Sequence, residues 1–152
     1  MKTIKRIPVT REGFENLKKE LENLTKERPQ AVKNLSEARN MGDLSENGLY
    51  TAAKSRLRSI DSQMFRLDIQ IKLADVVEGG GNAISIGSKV IVKDGDTKKE
   101  FHVVGDYEAN PREGKISQYS PLGRALMGKK KGEIAVFEAP SGKISYTILS
   151  IS

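Results

Sequence analysis

Two carboxylates stand three residues apart in Gly42-Asp43-Leu44-Ser45-Glu46-Asn47, a short polar stretch between two long segments of helical pattern. Hard oxygen donors of this kind suit Mg²⁺. That ion wants a near-octahedral set of oxygens and usually draws on phosphates and waters besides carboxylates. Asp43 and Glu46 therefore cannot complete a metal site alone, and metal chemistry here requires the remaining ligands to come from a partner. The same residues also have a structural reading. Asp43 followed three positions later by Glu46 has the form of a capping box opening a helix, and Gly42 suits the end of the helix before it. Spacing by itself favours the cap, because caps are common.

The flanking segments must position this stretch. Phe14, Leu17, Leu21, Leu24, Arg28, Ala31, Leu35 and Ala38 recur at alternating spacings of three and four. Tyr50, Ala53, Leu57, Ile60, Met64, Leu67, Ile71 and Ala74 repeat the pattern as its mirror image about Leu44. Layers of one antiparallel coiled-coil hairpin need this symmetry, since each apolar layer must meet its partner at the same height. Thr10 is the expected N-cap of the first helix, which should run to about Arg39, giving a finger about 45 Å long at 1.5 Å per residue. Pro29 removes a helical hydrogen bond and should kink it. Arg28 falls in a core layer opposite Ile60, where its stem can pack while the guanidinium reaches water. The second helix should run to about Val77. Glu78-Gly79-Gly80-Gly81-Asn82 then breaks the pattern and reads as a flexible joint. The expected organisation is a hairpin over residues 1–77, a glycine linker over 78–82 and a second domain over 83–152.

In that second domain the period changes to two. Lys89–Val92 and Glu100–Val104 read as strands joined through Asp94-Gly95-Asp96, and Ile134–Phe137 and Ile144–Leu149 as another pair across Pro140-Ser141-Gly142. Pro121 opens a short helix over Leu122–Met127 that Gly128 closes. The fold class is therefore α+β, with a helical hairpin followed by a small antiparallel sheet carrying one helix. The absence of cysteine excludes a disulfide scaffold and a zinc–thiolate site. No apolar run approaches the roughly 18 residues of a membrane span, and the basic start leads into no signal-peptide core. A soluble, cytoplasmic protein is expected. The net charge of +6 permits contact with nucleic acid without establishing it.

The segment Glu37-Ala38-Arg39 followed by Gly42-Asp43-Leu44-Ser45-Glu46-Asn47-Gly48-Leu49-Tyr50 resembles the tip signature of bacterial GreA/GreB transcript cleavage factors. The likeness extends through Pro29, Ala52-Ala53-Lys54, Ile86-Gly87-Ser88-Lys89-Val90, Val104-Gly105-Asp106-Tyr107-Glu108-Ala109 and Ser120-Pro121-Leu122-Gly123-Arg124-Ala125-Leu126-Met127-Gly128-Lys129. The resemblance implies a second domain of FKBP-like fold that docks on RNA polymerase, with Ser120, Pro121, Leu122 and Gly123 as the docking segment. It implies that the hairpin enters the polymerase secondary channel when the enzyme has backtracked. There Asp43 and Glu46 would help hold the second Mg²⁺, shared with polymerase and bound only in the complex, so that the polymerase cleaves the 3′ end of the backtracked nascent RNA. Arg39, Asn47 and Tyr50 match tip-supporting positions. Leu49 departs from the family pattern, which usually has an acid there, and Gly48 stands where alanine is usual.

Lys54 and Arg58 lie at i, i+4 on one helix face with Arg56 nearby. Such charges commonly form a solvated surface; the resemblance offers a basic patch for RNA phosphates instead. Without an aromatic platform beside them, only sequence-independent phosphate contact is expected. Tyr50 reads as a core residue, and His102, alone in a strand, as a surface or packed histidine. Lys129-Lys130-Lys131-Gly132-Glu133 reads as a solvated turn, and Leu122 and Met127 as helix-to-sheet core. The chain is expected to be a monomer, and no enzyme by itself, acting through the polymerase's own nuclease activity. The main alternative is a paralogue that binds the same channel and inhibits or remodels polymerase without cleavage. A prolyl isomerase is disfavoured by the 5% aromatic content and lack of tryptophan, and a free-standing nuclease by the two-acid count.

Overall fold

The computed structural model describes residues 3–42 and 47–152. The chain forms two compact units, one of Glu15–Leu73 and the other of Met1–Phe14 together with Ala74–Ser152.

The first unit is a helical hairpin formed by α1 (Arg11–Arg39) and α2 (Gly48–Leu73). Its core is the heptad seam: Leu24, Ala31, Ile60 and Leu67 are buried, with Leu17, Leu21, Leu57 and Met64 packed against them. Each large aliphatic side chain withdrawn from water contributes about 1.5–3 kcal/mol. Pro29 lies inside α1, which continues through it to Arg39. Arg28 does what its position requires. Ile60 beside it is fully buried, while the guanidinium reaches across to Asp61, with Nε donating at 2.6 Å and Nη2 at 3.3 Å.

One expectation fails where the hairpin ends. The second helix stops at Leu73, and Ala74–Val76 instead form strand β2, paired in parallel with β1 (Ile7–Val9). Leaving the helix lets the backbone of a valine-rich stretch pair with the chain's own start. The Val77 N–H continues the ladder to the Val9 carbonyl at 2.9 Å, and Val9 is buried. The layer of Phe14 and Ala74 is therefore no part of the hairpin unit. The first glycine of the run, Gly79, is closely packed, whereas Gly80 has open space around it. A Cβ on Gly79 would lie 2.3 Å from the carbonyl carbon of Gly87, so this glycine is required by close backbone packing inside the second unit. By compactness the two units meet at Phe14/Glu15 and at Leu73/Ala74.

The second unit holds a five-stranded sheet of β3 (Lys89–Asp94), β4 (Thr97–Val104), β5 (Lys115–Ser117), β6 (Ile134–Ala139) and β7 (Gly142–Ile151) in the order β5-β4-β3-β7-β6. The hairpins β3–β4 and β6–β7 and the central pair β3–β7 are antiparallel, as expected. The edge pair β4–β5 is parallel. Two short 3-10 turns, Asp106–Glu108 and Pro111–Glu113, carry the chain from β4 back to run alongside it. Helix α3 (Pro121–Leu126) closes the core with Leu126, against Val90, Val92, Val103, Tyr146 and Ile148. Leu122 and Met127 pack on that cluster. Tyr146 lies between Phe101 and Phe137, with ring centres 5.8 and 5.5 Å away.

The root of α1 belongs to this unit and is held there. Thr10 caps the helix, its Oγ1 accepting from the Gly13 N–H at 3.0 Å. The Glu108 carboxylate accepts from the backbone N–H groups of Thr10 and Gly105, each at 3.0 Å, and from the Thr10 hydroxyl. A Cβ on Gly13 would fall 2.0 Å from Glu108 Oε1, so glycine leaves room for this clasp.

Candidate functional site at the hairpin tip

The two helices stop at different kinds of ends. At the close of α1 the Asn40 N–H is shared between the carbonyls of Ser36 and Glu37, each at 3.2 Å, and the Met41 N–H reaches the Ala38 carbonyl at 3.2 Å. Gly42 follows with φ +112°, a conformation that side chains resist. Asn47 opens α2: its Oδ1 accepts from the Tyr50 N–H at 3.1 Å, the bond an N-cap makes to the third helical residue. Its Nδ2 crosses to α1 and donates to the Ala38 carbonyl at 2.7 Å. One side chain thus caps one helix and adds a second donor to a last-turn carbonyl of the other.

Asp43 and Glu46 lie outside the described residues. What the structure fixes is the pair of ends from which they are held, Gly42 and Asn47. Because α2 begins at Gly48 with Asn47 as cap, the expected capping box of Asp43 and Glu46 is not where this helix opens.

Around these ends, Ala38 is buried and Tyr50 half-buried, as a core layer requires. The Lys54 ammonium stands 6.0 Å from the centre of the Tyr50 ring, within cation–π range. Arg39, the last residue of α1, is exposed, as are Lys54 and Arg58. Arg56 is different, because it is bound across the hairpin to Glu27, with Nε donating at 2.9 Å and Nη2 donating to the same oxygen. All three cations of the expected basic patch are exposed, and Arg56 differs in being paired across the hairpin with Glu27. The Asp61 carboxyl is held below the ordinary carboxylate range by its hydrogen bonds from Arg28, against the opposing effect of burial, and Arg28 is raised in turn. Among the described residues no group of three or more His, Cys, Asp or Glu could hold a metal. Sequence reasoning marked Leu49 only as a departure and passed over Met41. Both are more than 60% exposed beside the tip, and exposure of this kind has no sequence signal.

In the second unit, Ser120 caps α3, accepting from the Gly123 N–H at 3.0 Å while its hydroxyl donates to the Ser117 carbonyl at 2.7 Å. A Cβ on Gly123 would meet the Ser117 carbonyl oxygen at 1.9 Å. Ser120, Leu122 and Gly123 are thus engaged in building the turn and core, and Pro121 presents an exposed surface. His102 is half-buried at the rim of a recess with Glu12, Lys89, Glu100, Glu113 and Lys115. No helix among the described residues is long and apolar enough to cross a membrane.

A helical hairpin with a short polar tip, followed by a sheet-and-helix unit, is the plan of a class of bacterial transcription elongation factors. Residues 7–76 match the family described as transcription elongation factor, N-terminal, and residues 79–152 match transcription elongation factor, GreA/GreB, C-term. The chain belongs to the GreA/GreB family of transcription elongation factors. It is 45% identical over 153 residues to transcription elongation factor GreA of Thermodesulfovibrio yellowstonii, covering 97% of each chain. It is 41% identical to transcription elongation factor GreA of Maridesulfovibrio salexigens, covering 95% of this chain and 94% of the relative. Among solved structures, the GreA factor homolog 1 protein of Thermus thermophilus aligns at 29% identity and a TM-score of 0.46, covering 97% of this chain and 99% of that one.

Proposed function

We propose that this chain is a cytoplasmic elongation factor that stimulates cleavage of RNA in backtracked RNA polymerase by lending Asp43 and Glu46 to the polymerase active centre. The observation that carries the reading is the Asn47 cap. Asn47 is the N-cap of α2 and ties it to α1, so neither acid is that N-cap, and both belong to the short segment carried between the two helix ends. In this reading the two carboxylates serve a partner.

The residues fit a shared metal and not a private one. Two carboxylates fall short of the oxygen set that Mg²⁺ takes, so they would supplement ligands belonging to polymerase. There the metal would supply charge stabilisation at the scissile phosphate and a hydroxide-like water. The carboxylates of Asp43 and Glu46 would accept hydrogen bonds from that water and orient it. The finger would supply reach: the 29 residues of α1 correspond to about 43 Å of helix. Lys54 and Arg58, on the exposed face behind the tip, would follow the phosphates of the extruded RNA 3′ segment. The Pro121 surface and its neighbours would dock on polymerase outside the channel. The nuclease is polymerase; this chain contributes part of its site.

The reading is tested by adding the chain to a purified backtracked complex with Mg²⁺ near neutral pH. RNA should shorten from its 3′ end in the complex, and the chain alone should not cut RNA. Binding without added cleavage would establish the inhibitory paralogue in its place.

A further inference from the structure

We propose that a recess on the side of the tip, floored by Ala38, Ala52 and Ala53 and flanked by Met41 and Leu49, receives an apolar side chain of the polymerase. The inference rests on the proposed entry of the tip into that enzyme. Three alanines at the floor leave a cavity of about 320 Å³ that none of the described side chains fills, with Asn34 and Glu37 completing its rim. Met41 and Leu49 are 65% and 62% exposed, so their apolar surface is open to whatever approaches.

The position of the recess decides its occupant. Leu49 follows Glu46 by three residues and Met41 precedes Asp43 by two. At 3.8 Å per Cα step, neither Cα can be more than about 12 Å from that of its neighbouring acid. A partner surface that accepts the carboxylates must therefore lie over or close to the recess. Apposing a charged or polar group there would strip its water without offering it a hydrogen-bond partner on the leucine and methionine side. An aliphatic or aromatic side chain gains from the same burial. The recess thus contributes residence in the channel, while the acids contribute the chemistry. Leu49, standing where the family usually has an acid, gives up some negative field at the tip for this contact.

The test compares wild type with Leu49→Gln, Met41→Gln and the double variant in cleavage of one backtracked complex across factor concentration. Leu49→Met serves as the conservative control. Glutamine keeps helix propensity, and thermal unfolding by circular dichroism verifies that each variant is folded. The double variant is expected to raise the half-maximal concentration about tenfold or more, as loss of a buried anchor does, and to leave the saturated rate within about twofold. Leu49→Met should behave as wild type. An unchanged half-maximal concentration, or a lowered saturated rate at unchanged half-maximal concentration, overturns the proposal. So does a wild-type dimer in sedimentation that Leu49→Gln dissociates, which would make a second copy of the chain the occupant. The same substitutions in an Asp43→Ala background, read by competition for polymerase without cleavage, separate the two levels. A weakened competitor supports the recess even if the cleavage reading fails.

Discussion

Asn47 joins the two helices at the tip by donating its side-chain amide to the backbone carbonyl of Ala38 at 2.7 Å, while its side-chain oxygen caps the Tyr50 N–H. The two bonds use opposite ends of one amide. A carboxylate, hydroxyl or glycine could serve as cap, but none could also reach across as an amide donor toward α1. The spacing of the two helix ends is thereby fixed at the points from which Asp43 and Glu46 are carried.

Asn47→Ala should therefore lose a cap and a strut together, costing about 1–2 kcal/mol locally. Asn47→Asp retains the cap and loses only the donor, so its cost should be smaller. Hydrogen exchange at the Tyr50 amide reads this directly. Protection should fall in the order wild type, Asn47→Asp, Asn47→Ala, and equal protection in all three would refute the role assigned to the side chain.

A second prediction concerns the root of α1. Gly13→Ala places a methyl group on the Glu108 carboxylate. The carboxylate must swing away and abandon the backbone N–H groups of Thr10 and Gly105, at a cost of about 1–3 kcal/mol. In Glu108→Ala the clasp is already gone, so adding Gly13→Ala should cost little more. A double-mutant cycle by urea unfolding should show strong coupling; simple additivity would mean that the two residues do not meet.

The Arg28–Asp61 pair gives the hairpin a dependence on acid. Its hydrogen bonds hold the folded Asp61 carboxyl below the ordinary value of 3.8, so the unfolded chain binds the proton more readily. The stabilisation is complete above that value and is lost as pH falls through the depressed folded value. The Glu22 carboxyl, lowered by Lys26, adds in the same sense. The melting temperatures of wild type and Asp61→Asn should converge as the solution is acidified below pH 3.8. A gap that persisted in acid would assign the effect to packing.

The hairpin was legible in the sequence because its core obeys one rule, a heptad seam mirrored about the tip. Leu24, Ala31, Ile60 and Leu67 fall where periodicity places them. The strand pairs around Gly95 and Pro140 were legible because turn residues and alternation agree. Where pairing partners are distant, the signal vanished. Ala74-Asp75-Val76 continues a helical pattern and becomes a strand only because Ile7-Pro8-Val9 is there to receive it. Gly79 resembles a linker glycine until Gly87 is brought against it. At the site, type and spacing pointed to Asp43 and Glu46, whereas the assignment of the cap to Asn47 depends on where α2 starts. The engagement of Arg56 by Glu27 likewise needs the helices side by side.

The Arg56–Glu27 pair makes a prediction about RNA. If Lys54 and Arg58 follow the extruded strand and Arg56 is held by Glu27, then Lys54→Ala with Arg58→Ala should weaken crosslinking of the RNA 3′ segment to the factor. The slope of its salt dependence should also flatten by about 0.7 for each phosphate that the variant no longer neutralises. Arg56→Ala should act on hairpin stability first. Equal loss of crosslinking from all three would return Arg56 to the RNA-facing patch.

The most direct test of the proposed role is the cleavage rate of one backtracked complex at saturating factor, compared between wild type and Asp43→Asn at equal polymerase occupancy. Binding should stay close to wild type while the stimulated rate falls by about 10²–10³, the scale on which removing one preorganised electrostatic group acts. Full stimulation by Asp43→Asn, or parallel loss of binding and cleavage, would contradict the assignment of this carboxylate to the polymerase's chemistry.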